Sequence, residues 1–541
     1  MEAYTEVERA MDIDLLAWTR RPRRGGWVRF ASTEGWDEWS YDSLAALTRR
    51  SAGALVAAGV RPGDVVALGL AGGPRFVAMF FGALLAGATP APLPPPAAFA
   101  RADRYEAHAD RLLGWSTPTL VVHEPAFART GELAAVRGVD AAPLDELLAA
   151  APDADREPGR PVPAVAVVQF TSGTTGPARG VRVGTGALTA NLGAIARWLR
   201  MTPADPTASW LPVHHDMGLI GCLLLPVTVG GDLWSMPTVE FLRRPMRYLE
   251  CFGRHGARLT AMPAFGLDYL TRRVRPESLA GLDFSAWRSV IVGAERIPPA
   301  TLHRFAELLG PFGLRPSALR PAYGLAEATL AVTGVASGEP WRVVSTPTEG
   351  AVVGCGTPLS GVTVSVRDGD GRPAAPGQLG EIVVGGAGVG SAPVHTGDAG
   401  FLHDGELFVV GRLGDGVKVH GRFVFAADVE TAIAADGGIP LGRVAVLAGS
   451  RAGRPTVVVV LERPQPDWWR LSAEALAGRF VGADLLAVTA TAGGIARTTS
   501  GKPRRRVMWD AFLDGRLGPA QPLSPSPCAS AATTASSSST R

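Results

Sequence analysis

Short apolar runs alternate with longer helical patterns along most of the chain. Trp36 to Glu38 and Trp39-Ser40-Tyr41 read as short strand material. Asp42-Ser43-Leu44 then opens a helix through LAALTRRSAGALVAAGV, with Asp42 or Ser43 as its cap and Leu44, Leu47, Ala52 and Leu55 near helical spacing. The run VVALGLAG after Asp64 reads as a buried strand, and Pro74 to Gly87 as a helix that starts on proline and stops on glycine. ATPAPLPPP forces an extended segment, followed by a helix from Arg101 to Leu113 and a strand at Thr119 to Val122. The same alternation continues through a helix at Leu188 to Arg200, a strand and turn at Ser209 to Pro212, and short strands at Arg258 to Met262 and Ser289 to Ala294. It predicts parallel sheets covered by helices on both faces.

From about Val352 the helices thin out. VTVSVRD and GEIVVGG suggest antiparallel strands, and GELFVVGRLGDGVKVHGR reads as one hairpin. Beyond it a helix at Ala426 to Ala434, strands at Val444 to Leu447 and Thr456 to Leu461, and a helix at Ser472 to Arg479 make a compact α+β unit. The tail from Gly518 is Ser/Ala/Pro-rich and reads as disordered. The expected organisation is a large N-terminal α/β domain over 1–414, with parallel and mixed sheets plus a β-rich subdomain. A small mobile α+β domain over 415–517 and a low-complexity tail over 518–541 follow.

Composition narrows the partners. A net charge of +3 spread over 541 residues leaves no footprint for nucleic acid, and small molecules are the likelier class of ligand. The four cysteines, Cys222, Cys251, Cys355 and Cys528, lack metal-ligand spacing, which points to free thiols in a reducing cytoplasm. No signal peptide is evident at the N-terminus, and the apolar stretches Phe76 to Leu85 and Leu219 to Val229 are too short or too interrupted to span a bilayer. Of 53 Lys and Arg residues only two are lysine, Lys418 and Lys502. Where lysine persists against that drift, a compact ammonium on a flexible stem is one explanation, and chance survival is the other.

The candidate chemistry starts at VQFTSGTTGPARGVRV, where an apolar run ends in a loop of hydroxyls and glycines. In Thr171-Ser172-Gly173-Thr174-Thr175-Gly176, side-chain hydroxyls alternate with glycines whose backbone N–H groups can turn toward an anion. That suits a polyphosphate; a polar surface loop after a strand is the alternative. The loop matches neither the P-loop nor the dinucleotide pattern. In SWLPVHHDMGLIG the adjacent His214, His215 and Asp216 cannot easily converge on one metal. PAYGLAEAT offers the ring of Tyr323 and the carboxylate of Glu327, able to hold a magnesium ion beside a polyphosphate or simply to favour a helix N-terminus. His395-Thr396-Gly397-Asp398 places a carboxylate where it could accept from two ribose hydroxyls, Gly411-Arg412 follows, and Thr498-Thr499-Ser500-Gly501-Lys502 presents one lysine on a glycine turn.

In their order, TSGTTG, LPVHHDMGLIG, VGAERI, AYGLAEATL, HTGD, GRLGD and TTSGK resemble the adenylate-forming superfamily of acyl-CoA synthetases, peptide-synthetase adenylation domains and luciferases, over about Trp36 to Leu517. Within it the chain looks most like the fatty acyl-AMP ligases, through SWLPVHHDMGLIG, FLRRPMRYLE, Ala326-Glu327-Ala328-Thr329, TGDAGFLHDGELFVVGR and the Pro-rich APLPPP followed by ADRYEAHADRLL. The resemblance implies that a carboxylic acid, a fatty acid by this likeness, is activated by ATP as acyl-AMP and passed to the phosphopantetheine thiol of an acyl carrier protein supplied in trans. It also implies the roles. Thr171, Ser172, Gly173, Thr174, Thr175 and Gly176 would cradle phosphates with Arg179 adding charge, and Glu327 would hold Mg²⁺. Gly293, Ala294, Glu295, Tyr323 and Gly324 would frame adenine, Asp398 would take the ribose, and Arg412 the ribose or a phosphate. His215 would stand at the acyl-pocket entrance, with the apolar helix after Gly218 lining it. Lys502 would bridge the substrate carboxylate and the α-phosphate, and Asp415 would be the hinge of a swing that presents the segment around Lys418.

The chain departs from the pattern in two places. Pro177-Ala178-Arg179 stands where relatives carry proline then lysine. The connection between Gly385 and Thr396, like the region after Gly334, is short. The acceptor therefore stays open between a carrier and CoA, as in an acyl- or aryl-CoA ligase. An inactive adenylate-binding scaffold is the reading from another class.

Overall fold

Strand followed by helix followed by strand builds a sheet only if the crossover packs on it, and here most of the crossovers do. The computed structural model describes residues 13–96, 102–151, 159–171, 179–346, 350–390, 392–419, 422–437, 439–476, 483–498 and 502–523. The chain divides into two compact units, the break falling between Leu413 and Gly414.

In the first unit a 9-stranded sheet carries the parallel strands Leu319–Gly324, Ser289–Val292, Leu259–Met262, Thr207–Ser209, Leu233–Ser235 and Trp27–Ala31, in that spatial order. Antiparallel strands finish its two edges: Trp36–Ser40 on one side, Ala331–Gly334 and Thr357–Pro358 on the other. A second, all-parallel sheet holds Thr89–Pro92, Val65–Gly69, Leu120–His123 and Asp140–Pro143. Val65–Gly69 is buried at every position, as its unbroken apolar run requires. Helix Pro74–Leu85 buries Phe76, Phe80 and Phe81 completely, and the Phe81 ring meets Trp18 edge-on with centroids 5.0 Å apart. The β-rich part is an antiparallel sheet of Val362–Arg367, Gly380–Gly386, Val394–His403 and Glu406–Arg412. Among the described residues, no helix is long and apolar enough to cross a membrane.

Two local expectations change. Helix Tyr41–Ala57 is capped by Ser40, whose Oγ accepts from the Ser43 amide, and not by Asp42 or Ser43. Tyr41 is drawn into the helix because its ring is buried and its hydroxyl donates to the Gly231 carbonyl at 2.7 Å. The stretch expected as one hairpin is split. Glu406–Arg412 pairs back onto Val394–His403 across Asp404-Gly405, both at positive φ as a two-residue Asp-Gly hairpin turn demands. Gly416–Val419 then pairs with Arg422–Phe425 as a separate hairpin.

The second unit is a sheet of Val444–Arg451, Arg454–Glu462, Asp484–Ala490 and Ala520–Pro522. Val457, Val459 and Leu461 pack on one face with Ile433 and Trp468, while Val458 and Val460 pack on the other with Trp509 and Phe512. Burial on both faces is why this strand reads as an uninterrupted valine run. The expected disorder from Gly518 is corrected at its start: Ala520–Pro522 adds an edge strand on Leu486–Val488, where a proline costs no ladder bond, and Leu523 is buried. Residues 524–541 lie outside the described residues.

Candidate active site

Parallel strands end together: Gly293 and Ala294, just past Ser289–Val292, and Tyr323 and Gly324, the last residues of Leu319–Gly324, stand on the wall of one cavity. Neighbouring backbones are too close there for side chains. A Cβ on Gly293 would stand 2.9 Å from the Ala322 carbonyl oxygen, and one on Gly324 1.9 Å from that of Leu330. Ala294 is held at φ +67, a conformation an alanine adopts only under constraint.

Tyr323 links this wall to the β-rich sheet. Its hydroxyl donates to Asp398 Oδ2 at 2.7 Å, and Arg412 Nε lies 3.0 Å from Asp398 Oδ1. Asp398 and Arg412 are cross-strand neighbours, so the pair is set by register. The Asp398 amide donates to Thr396 Oγ1 at 3.0 Å, and the Thr396 hydroxyl donates to the Ile382 carbonyl at 2.7 Å, which fixes the HTGD turn. Burial, together with the Asp398 charge, pushes the Tyr323 phenol well above its ordinary range, so it stays a neutral donor. A carboxylate offers about four acceptor sites. Two are used by Tyr323 and Arg412, leaving acceptors for a ligand's hydroxyls.

The cavity itself is apolar. It opens to solvent and runs beside helix Thr185–Leu199 and the segment Met217–Leu224. That segment is wound with i→i+5 hydrogen bonds, a wider turn that puts Met217, Gly221 and Cys222 on the wall, where Leu225 of the following helix joins them. Burial pushes the Cys222 thiol up to about 11, so it stays neutral and behaves as a small apolar group.

Glu327 is exposed on a single turn, Ala326–Ala328, between buried alanines. Thr329 follows at φ +68, unusual for a β-branched residue, and its hydroxyl donates to the Gly388 carbonyl at 2.7 Å. Asn191 clamps the next strand, its Nδ2 donating to the Ala331 carbonyl at 2.8 Å while its Oδ1 accepts from the Ala331 amide at 3.2 Å. Among the described residues no three His, Cys, Asp or Glu gather to hold a metal. A lone carboxylate fits a magnesium ion whose other ligands are phosphate oxygens and water. Glu295 turns its carboxylate to the Phe265 amide at 2.7 Å.

His214 and His215 differ sharply. The ring centroids are 4.5 Å apart, but the cavity wall takes Asp216 and Met217, leaving His215 one position short of it. His214 is buried, its carbonyl accepts from Gln169 Nε2 at 2.8 Å, and its own Nε2 has no hydrogen-bond partner among the described residues. Burial, then the neighbouring His215 and His108, hold its pKa well below 6.5. The unfolded chain therefore binds a proton there that the folded chain refuses, and stability is lost as pH falls below the unfolded value. Acidification below pH 6.5 should cost up to about 1.4 kcal/mol per pH unit through this group. Urea midpoints against pH should show a shallower decline for His214→Gln.

Ser172, Gly173, Thr174, Thr175 and Gly176 lie outside the described residues. Thr171 and Arg179 are a paired position of the antiparallel strands Val165–Thr171 and Arg179–Gly184. Lys502 belongs to the second unit, immediately before Pro503 and close to the start of helix Arg505–Leu513. Sequence reading gave no role to Asn191, which clamps Ala331, to Thr396, or to Glu381, whose carboxylate accepts from the Gly397 amide at 3.1 Å. Of these only Thr396, inside the HTGD motif, carried a signal.

Residues 18–392 match the family model described as AMP-binding enzyme. The chain is 30% identical over 505 residues to a medium-chain-fatty-acid–[acyl-carrier-protein] ligase of Moorena producens, covering 82% of this chain and 85% of that one. It is 32% identical over 517 residues to a long-chain-fatty-acid–AMP ligase of Mycobacterium tuberculosis, covering 82% and 86%, and 30% identical to a putative acyl-CoA synthetase of Caulobacter vibrioides, covering 88% and 90%. A solved structure from a study of fatty acyl-adenylate ligases of E. coli and L. pneumophila superposes with a TM-score of 0.85 at 26% identity, covering 94% of this chain and 99% of that one.

Proposed function

We propose that this chain, which belongs to the family of AMP-binding enzymes, activates a fatty acid as its acyl-adenylate and transfers the acyl group to the phosphopantetheine thiol of a carrier protein. The observation that carries this is the meeting, at Tyr323, of an apolar cavity with a carboxylate–guanidinium pair suited to a ribose. One end takes the acyl chain and the other takes the nucleotide.

The fatty carboxylate attacks the α-phosphorus of ATP. A C–O–P bond forms, the bond to the β-phosphate oxygen breaks, and pyrophosphate leaves. Gly293, Ala294 and Gly324 frame the adenine, with Asp398 on the ribose hydroxyls and Arg412 beside them. Thr171, the loop Ser172 to Gly176 and Arg179 grip the β and γ phosphates. Mg²⁺, held through Glu327, would neutralise charge on the phosphate oxygens. Lys502 donates between the two anions as they join. In the second step a thiolate attacks the acyl carbonyl and AMP departs, after the small domain turns about Asp415.

Mixing the protein with ATP, Mg²⁺ and a panel of fatty acids should release pyrophosphate only when acid is present. Intact ATP binding with no release for any acid would make the chain a scaffold. A second reading has CoA as the acceptor, favoured by the short region after Gly334 and the short connection between Gly385 and Thr396. Preformed acyl-adenylate offered CoA and a phosphopantetheinylated carrier together decides it: preferential carrier acylation is expected, and faster CoA acylation replaces the carrier.

A further inference from the structure

We propose that the first unit carries a docking surface for the carrier protein: an exposed apolar ridge of Val239, Leu242 and Phe265, ringed by arginines, that seats an acidic partner helix. It rests on the carrier-dependent function proposed above and names where that partner binds.

Charge points there first. Residues 238–275 hold eight arginines against three acids, a net charge of +5, while the whole chain carries only +3. The remainder of the chain is therefore net negative, and the positive charge is local. Two of the three acids are shared by two arginines each: Glu240 by Arg244 at 3.5 Å and Arg247 at 2.9 Å, Asp268 by Arg272 at 2.5 Å and Arg304 at 3.3 Å. Each such carboxylate cancels one guanidinium and leaves the other's charge standing. Arg243, Arg273 and Arg275 are exposed and make no ion pair among the described residues.

The apolar part is continuous. Val239 and Leu242 lie one turn apart on helix Thr238–Arg243, 53% and 36% exposed, and Phe265, in the first turn of helix Ala264–Arg273, is 44% exposed. Tyr269 joins the two helices, its hydroxyl donating to the Leu242 carbonyl at 2.5 Å while its ring centroid lies 5.8 Å from that of Phe265. Both helices start just past the carboxyl ends of parallel strands, Leu233–Ser235 and Leu259–Met262, the edge where such sheets take their ligands. There the Phe265 amide donates to Glu295 Oε1 and the Gly293 amide to the Met262 carbonyl at 3.3 Å. The ridge thus begins beside the cavity wall made by Gly293 and Ala294.

The make-up of the surface selects its occupant. Nucleic acid or a free polyphosphate would use the guanidiniums and leave three apolar side chains in water. A second copy of the chain would set arginine against arginine. A protein helix bearing apolar and acidic side chains satisfies both parts, and a carrier is the partner that must reach this edge to bring its thiol to the adenylate. An anionic membrane offers the same two chemistries and is set apart by the test.

Transfer from enzyme-bound acyl-adenylate to an acidic phosphopantetheinylated carrier protein is measured across carrier concentration. Arg243→Glu combined with Arg273→Glu should raise the KM for the carrier about tenfold. Acid-dependent pyrophosphate release and kcat at saturating carrier should stay unchanged, since neither arginine holds an ion pair whose loss could unfold the chain. Phe265→Ala should also raise that KM about tenfold, as an aromatic anchor does. Lysine in place of two acids on the carrier's helix should slow transfer by the wild type and restore it for the doubly reversed variant. Added salt should raise the wild-type KM more steeply than the variant's. Transfer unmoved by both variants overturns the proposal. So does loss of co-sedimentation with phosphatidylglycerol vesicles in the double variant alongside undiminished transfer, which would make the surface a membrane contact. If CoA alone is acylated, the carrier reading fails by itself, and equilibrium binding of the same carrier decides the surface. Salt-sensitive binding that the double variant loses upholds it, and equal binding by the two proteins removes it.

Discussion

Lys502→Arg is expected to lower acid-dependent pyrophosphate release by about a hundred- to a thousandfold, the usual loss when one donor to a developing charge is removed. The charge survives this substitution, so the test isolates shape. An ammonium is a compact point charge on a four-carbon stem with three rotatable donors, whereas guanidinium is a planar fork that fits one carboxylate or phosphate edge-on. Two anions converging on one another leave room for the first and not the second. The composition sharpens the point. The four residues after Pro503 begin Arg504-Arg505-Arg506, in a chain where 53 Lys and Arg positions include two lysines. Arginine occupies almost every other basic position, including the three that follow Pro503. ATP affinity measured by equilibrium binding should change little, because the residues proposed to hold ATP, Asp398 and Arg412 among them, belong to the first unit. Near-normal turnover in Lys502→Arg would mean that this lysine persisted by chance.

The parts of the site legible in the sequence are those whose chemistry sits in one short block. Asp398 stands in a contiguous HTGD, and its partner Arg412 comes within one hairpin. Gly293 and Gly324 were legible as motif letters, but their physical cause, backbone oxygens within 3 Å of a would-be Cβ, is a tertiary fact. The bond from Tyr323 to Asp398 joins positions 75 residues apart, and no periodicity could announce it. Arg320 is the clearest illegible case. In LRPAYG a basic residue inside a strand reads as a solvent-facing position, yet it is among the largest fully buried side chains, because carbonyls of two other elements converge on it. The alternation of strand and helix fixed the sheet class correctly, since parallel pairing follows from crossover length. Errors clustered at boundaries decided by single contacts, such as Ser40 replacing Asp42 as cap once Tyr41 found its buried acceptor.

Arg505→Met should destabilise the second unit by about 3–5 kcal/mol, the cost of leaving buried charge without its counter-charge. Arg505 forks onto Glu430, Nε to Oε1 at 3.1 Å and Nη2 to Oε2 at 2.7 Å, while Nη1 reaches Asp415 Oδ2 at 2.9 Å. Side-chain exposures of 13% for Arg505 and 9% for each carboxylate leave little water to compensate. Glu430 is committed further, its Oε1 accepting from the Val446 amide at 2.8 Å, so it cannot turn away. Burial works against the Arg505 charge, but Glu430 and Asp415 outweigh it and hold the guanidinium above its ordinary pKa. Without Arg505 the two carboxylates face each other's charge in a dry site. Urea unfolding at pH 7, with hydrogen exchange at the Val446 amide as a local readout, measures the loss. Arg505→Met combined with Asp415→Asn and Glu430→Gln should recover much of the loss at pH 7, since no buried charge remains. Asp415 is also the proposed hinge, and Arg505 ties it to the helix that starts just beyond Lys502. A stable Arg505→Met protein with unaltered pyrophosphate release would show that this ion triad neither holds the second unit together nor positions the lysine.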